Sequence, residues 1–146
     1  MADFVLTKSW PALSTYNSSN SAGVTPFRFV KLSVSSSTTY IDLATSATGI
    51  GVIGVVQDAL DRTKVATGKA GAAVAVLGQT YVYAGATPGA IAVGSRVTVG
   101  SDGGAILAAT GNFVVGICTA MSVPGGTVAA GDLITVLLVP GYIAAP

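Results

Sequence analysis

The sequence predicts an all-β fold: a single antiparallel β-barrel or sandwich-like domain with an extended N-terminal arm. Three observations predict it. Short runs rich in Val, Ile, Ala and aromatic residues are separated by Gly, Pro, Asp and Ser at hairpin spacings. Long amphipathic helix patterns are missing, apart from a short candidate in VVQDALDRTKV (55–65). Finally, the second half says nearly the same thing twice. VIGVV (52–56) matches VVGIC (114–118), and ATGKAGAAVAVLG (66–78) lines up without a gap against AAGDLITVLLVPG (129–141). Gly54 then matches Gly116, Gly68 matches Gly131 and Gly78 matches Gly141, with one residue of slip in the connector. A solenoid needs about three repeats to bury a continuous core, so two β-units, at about 52–78 and 114–141, belong to one closed domain. A chain of 146 residues fits that size.

In chain order, residues 1–26 read as an arm. Pro11 and Pro26 break regularity, SSNSAG is polar, and Phe4, Trp10 and Tyr16 follow neither a helical nor a strand period. A β-domain over 27–146 follows. FRFVKLSV alternates, with Arg28, Val30, Leu32 and Val34 on one side and Phe27, Phe29, Lys31 and Ser33 on the other. A Ser/Thr run then turns the chain into TYIDLA. Further strands are expected at VIGVVQ (52–57), AAVAVL (72–77), TYVYA (80–84), RVTV (96–99), AILA (105–108), FVVGICTAM (113–121) and LITVLLV (133–139). SDGG (101–104) marks a hairpin, because Asp-Gly tolerates the positive φ of a tight turn. AAVAVL and LITVLLV are apolar on both faces, as is most of FVVGICTAM. With few helices to cover them, a second subunit is the simplest cover, which predicts a homo-oligomer.

Composition disfavours several functions. Only 9% of residues are charged and the net charge is +1, which leaves no electrostatic footprint for nucleic acid or an anionic membrane surface. His and Glu are absent, removing the commonest general base and metal ligand, so the expectation is no enzyme, no cofactor and no metal. Cys118 lies in an apolar run and reads as a buried inert thiol. MADFVLTKSW lacks the basic and apolar regions of a signal peptide, so export by that route is not expected. No compact apolar 20-mer suggests a membrane span.

Several motifs tempt and fail. GIGVIG (49–54) matches a dinucleotide-binding pattern, but ATSAT precedes it and VIGVV recurs as a strand, so a turn and strand are expected. VATGKAG (65–71) lacks the first Gly of a P-loop and carries Ala70 in place of its Ser/Thr. Gly68-Lys69 and Gly131-Asp132 read instead as equivalent turns. Asp58 and Asp61 in DALDRTK read as a solvated connector rather than a carboxylate pair for acid/base work or cation binding.

The pieces IGVVQDA (53–59), ATGKAGAAVAVLG (66–78), AGATPGAIAVGSRVTVGSDGGAI (84–106), VVGICTAM (114–121) and AGDLITVLL (130–138) follow a recognisable order. That order resembles the small all-β head decoration, or capsid cement, proteins of tailed bacteriophages. The resemblance covers roughly residues 50–143 and is one of Gly/Val/Ala patterning. It implies a virion structural protein on the capsid exterior, trimeric, with the major capsid protein as partner, clamping neighbouring capsomers. Contact candidates for the capsid or a neighbouring subunit are Phe4, Trp10, Tyr16, Phe27, Ile134 and Leu137. The alternative expectation is a β-rich fibre, tail or surface module that binds carbohydrate.

Overall fold

A computed structural model describes residues 5–11, 25–35, 38–45, 51–59, 71–122 and 125–144. Among them the chain is all-β. Nine strands run in order: β1 (Val5–Pro11), β2 (Phe29–Ser35), β3 (Thr38–Leu43), β4 (Val52–Val56), β5 (Gly71–Tyr83), β6 (Arg96–Val99), β7 (Ala105–Leu107), β8 (Phe113–Met121) and β9 (Leu133–Ala144). They form one antiparallel sheet ordered β3-β2-β4-β5-β9-β8-β6-β7, with β1 added along β5. No helix among the described residues is long and apolar enough to cross a membrane.

The sheet curls at both ends. At one end β1, hydrogen-bonded to β5, approaches β3. At the other, a bridge between Ala84 and Ala105 brings the end of β5 back to β7. Each curl encloses apolar side chains. Val30, Ile41, Val56, Ala72 and Val74 fill the β1–β5 end. A larger core of Phe29, Val55, Ala75, Val82, Val97, Val99, Cys118, Ile134, Val136 and others fills the rest. Adjacent residues on one strand serve opposite cores, Phe29 beside Val30 and Val55 beside Val56, so neither β2 nor β4 has a solvent face at these positions. The alternation expected of FRFVKLSV therefore holds only at its end, where Leu32 and Val34 are exposed.

β5 is a single strand where the sequence suggests two. Its first half pairs with β1 (Trp10↔Ala72, Lys8↔Val74) and with β4 (Val55↔Ala75, Val56↔Val74). Its second half pairs with β9 (Gln79↔Leu137, Tyr81↔Thr135). The two partner sets meet at Gly78, whose φ of 95° is open to glycine and strained for other residues. The irregularity shifts the inward-facing set from Ala75 to Val82 and Ala84, from odd positions to even. Gly78-Gln79 reads as a strand break in sequence; in the fold it is a bend inside one strand.

Residues 5–11, expected as part of an irregular arm, are strand β1, and a register shift lies between Leu6 and Thr7. VLTKSWP has no clean alternation, which is why sequence pattern does not disclose it. The rest of the 1–26 stretch up to residue 24 lies outside the described residues, as do 60–70, which hold Asp61, the Lys69 turn and much of the candidate helix.

The pair β4–β5 and the pair β8–β9 share a register. Val55↔Ala75 corresponds to Ile117↔Leu137, and Val56↔Val74 corresponds to Cys118↔Val136. The gap-free sequence match set Val74 against Leu137, one residue away from this correspondence. Matching glycines drew that alignment, yet ladder pairing obeys hydrogen-bond register, and β9 carries its own irregularity opposite Val114 to Gly116.

One turn is built three times. Ala92-Val93-Gly94-Ser95, Ala109-Thr110-Gly111-Asn112 and Ala129-Ala130-Gly131-Asp132 each lead into β6, β8 or β9. In each, the fourth residue's N–H donates to the first carbonyl, at 3.0, 3.0 and 3.1 Å. The fourth side chain accepts from the first N–H in return, at 3.0, 2.9 and 2.8 Å. The glycine φ values of 88°, 85° and 84° are those of the third position in a type II turn.

Candidate binding groove and its aromatic support

The alternation of Gln79-Thr80-Tyr81-Val82-Tyr83 places Gln79, Tyr81 and Tyr83 on one face of β5 and buries Thr80 and Val82. Cross-strand pairing extends this outer face in rows. Gln79 sits opposite Leu137 and Leu137 opposite Ile117; Tyr81 sits opposite Thr135 and Thr135 opposite Ala120. An open groove of about 430 Å³ lies here, lined by Gln57, Gln79, Thr80, Tyr81, Thr119, Ala120 and Thr135.

Part of the groove wall is fixed by its own hydrogen bonds. Thr80 Oγ1 donates to Gln57 Oε1 at 3.1 Å, and Gln57 Nε2 donates to the Val55 carbonyl at 2.9 Å. Thr119 Oγ1 donates to the Thr135 carbonyl at 3.4 Å. A buried hydroxyl and an amide satisfied this way hold one rotamer each, so this side of the groove is rigid. Tyr81 is 57% exposed.

Behind Tyr81 stands Phe27, the one non-glycine described residue at positive φ, 59°. Its N–H donates to the Val56 carbonyl at 2.7 Å and its carbonyl accepts from Tyr83 N–H at 2.9 Å. These bonds matter for shape. Val56 pairs with Val74, and Tyr83 lies nine residues further along β5, about 30 Å if extended. One residue spans from Val56 to Tyr83 only because β5 bends, so Phe27 acts as a clasp across the curl. A left-handed conformation costs a bulky residue about 1–3 kcal/mol, and the two backbone bonds and ring contacts hold it there. The Phe27 ring meets Tyr81 edge-on at 6.1 Å between centroids and Tyr83 at 5.9 Å.

Next to the clasp, the Arg28 guanidinium lies 5.1 Å from the Tyr83 ring centroid and donates to Asp102 Oδ2 at 3.0 Å. The other Asp102 oxygen accepts from Gly104 N–H at 3.1 Å, so this carboxylate ties the SDGG turn to the start of β2. The turn forms as expected, with Gly103 at φ 74° between β6 and β7. A Cβ at Gly104 would lie 2.6 Å from Gly85 Cα, which leaves room only for glycine.

The residues singled out from sequence scatter. Phe4 and Tyr16 lie outside the described residues, and Trp10 takes its place in β1 opposite Ala72. Phe27 joins the aromatic cluster. Ile134, at 1% exposure, belongs to the chain's own core, whereas Leu137 is 38% exposed on the outer face. GIGVIG resolves into a turn at Gly51, φ 81°, and strand β4. Asp58 Oδ2 accepts from Ala73 N–H at 2.8 Å, while Asp61 lies outside the described residues. No cluster of three or more His, Cys, Asp or Glu occurs among the described residues. The groove itself is only half legible in sequence. Alternation exposes Gln79 and Tyr81, but the approach of Gln57 and Thr119 depends on the bend.

No protein-family model matches the chain, and no curated protein matches its sequence. Among solved structures it is similar to the N base of the head fiber gp8.5 of bacteriophage phi29, with a TM-score of 0.57 and 18% identity. The match covers 97% of this chain and 100% of that one. The two share a fold over nearly their whole length, and at that identity the likeness is one of architecture.

Proposed function

We propose that the chain is a virion structural protein that binds the outside of an icosahedral phage head and stabilises it as an oligomer, a homotrimer by the patterning resemblance. The observation that carries this reading is the likeness in fold to a phage head-fiber base over 97% of this chain. The composition agrees with it. A chain without His or Glu and with little charge is suited to making contacts rather than reactions.

The major capsid protein is the proposed partner. Leu32 and Val34, the latter 71% exposed, stand on β2 beside the outermost strand β3 and offer apolar surface for capsid or self contact. Several copies joined in one oligomer hold by effective concentration what single weak contacts do not. Purified virions carrying this chain provide the test. Quantitative mass spectrometry should find it in stoichiometric relation to the capsid lattice, and purified protein should co-sediment with heads that lack it. Absence from virions, or no co-sedimentation, overturns the proposal.

A further inference from the structure

We propose that the groove between β5, β9 and β8 binds a neutral saccharide, with Tyr81 as the stacking platform and Gln79, Thr119 and Thr135 as hydrogen-bonding partners. Its volume of about 430 Å³ lies within the range of about 300–1,000 Å³ typical of small-ligand sites. Its lining has an unusual balance for such a site. None of its residues is charged, which disfavours phosphate, nucleic acid and acidic glycans, because nothing there neutralises an anion. Amides and hydroxyls alternate with a single aromatic ring, which disfavours lipid and other purely apolar ligands.

A pyranose presents what this surface complements. One side of the sugar ring carries C–H groups that pack against an aromatic face, and its rim carries hydroxyls that both donate and accept. Asn and Gln amides and Ser/Thr hydroxyls have the same dual capacity. Tyr81 is more than half exposed, and Phe27, itself packed on Tyr83, meets its ring edge-on and limits its movement. A ring already held in place loses little freedom on binding. Thr80 and Gln57, bonded to each other, form a preset part of the wall.

The inference is independent of where the protein sits on a particle, and its test uses the isolated full-length protein with no capsid present. Saturation-transfer NMR and calorimetry with cellotetraose, maltotetraose, chitotetraose and galactotetraose are expected to show binding of at least one at millimolar concentration. Tyr81→Ala should weaken that binding about tenfold, Tyr81→Phe should largely keep it, and Gln79→Ala should weaken it severalfold. Thermal unfolding and sedimentation of each variant report folding and association. No binding of any of the four sugars overturns the proposal, as does binding that survives both Tyr81→Ala and Gln79→Ala. If Tyr81→Ala alters self-association while no sugar binds, the face is a subunit contact and the proposal is also overturned.

Discussion

A methyl group is too much for Gly54 and for Gly116. A Cβ on Gly54 would collide with the Ala75 carbonyl, and one on Gly116 would collide with Val136 Cγ1 and lie 2.8 Å from the Leu137 carbonyl. Glycine in a strand normally weakens it, so alanine would ordinarily help. Here the obstacle is largely the backbone of the paired strand, which has nowhere to go. Gly116→Ala is expected to cost about 1–3 kcal/mol, read as a drop in the urea midpoint. Cys118 offers a second residue-scale check. Burial pushes its thiol pKa up, against a smaller lowering by a backbone hydrogen bond of Ala120. The folded thiol should therefore resist thiol reagents at neutral pH and react rapidly once urea unfolds the chain. The sign for stability follows: protonated thiol is favoured in the folded state, so stability is intact below the ordinary thiol pKa. It falls as pH rises from that value through the raised one, and Cys118→Ala should flatten that alkaline decline.

At the scale of elements, the turn built three times makes a sharp case. Ser95, Asn112 and Asp132 perform one task with three chemistries, since each needs only an oxygen that accepts a backbone N–H. Gly111→Ala should cost about 1–2 kcal/mol by forcing a Cβ into left-handed backbone, whereas Asn112→Asp should change stability little; thermal unfolding of both variants checks the pair. Strand β1 lies where sequence pattern reads an arm. Removing residues 2–20 deletes β1 and bares the edge of β5 from Gly71 to Gly78. Loss of stability and aggregation are expected, measured by unfolding and light scattering, because an apolar edge is left unpaired. Sequence pattern discloses β2 through β4 and β6 through β9, where alternation or apolar runs end in clear turns. It misses β1, which lacks a period, and it divides β5 at Gly78, where a bend and a break look alike.

For the molecule as a whole, what was least legible is what joins distant segments. Arg28 and Asp102 are 74 residues apart, and neither residue's neighbours announce the pairing. The groove has the same origin, since Gln57 and Tyr81 converge only in the curled sheet. The argument that LITVLLV must be covered on both faces is also refined by the whole fold. Ile134, Val136 and Leu138 fill the chain's own core, while Leu137 and Thr135 face outward. Ile134→Asp should therefore abolish folding, because an unpaired charge would be buried, and Leu137→Asp should leave a folded protein of nearly wild-type thermal stability. Circular dichroism melts on the two variants distinguish them.

Strand β5 also sets a timetable. Its partners come from residues 5–11 at one end of the chain, 52–56 in the middle and 133–144 at the other end. As the chain leaves a ribosome, β5 meets β1 and β4 early but waits for β9, about 50 residues further along. Until then its second half, from Gln79 to Tyr83, lacks its β9 partner. Loops that long close slowly, so refolding belongs in the range of milliseconds to seconds typical of non-local β-topologies. The interval is also the one in which two unfinished chains are best able to exchange strands. The residues that end that wait are the ones most worth guarding from mutation.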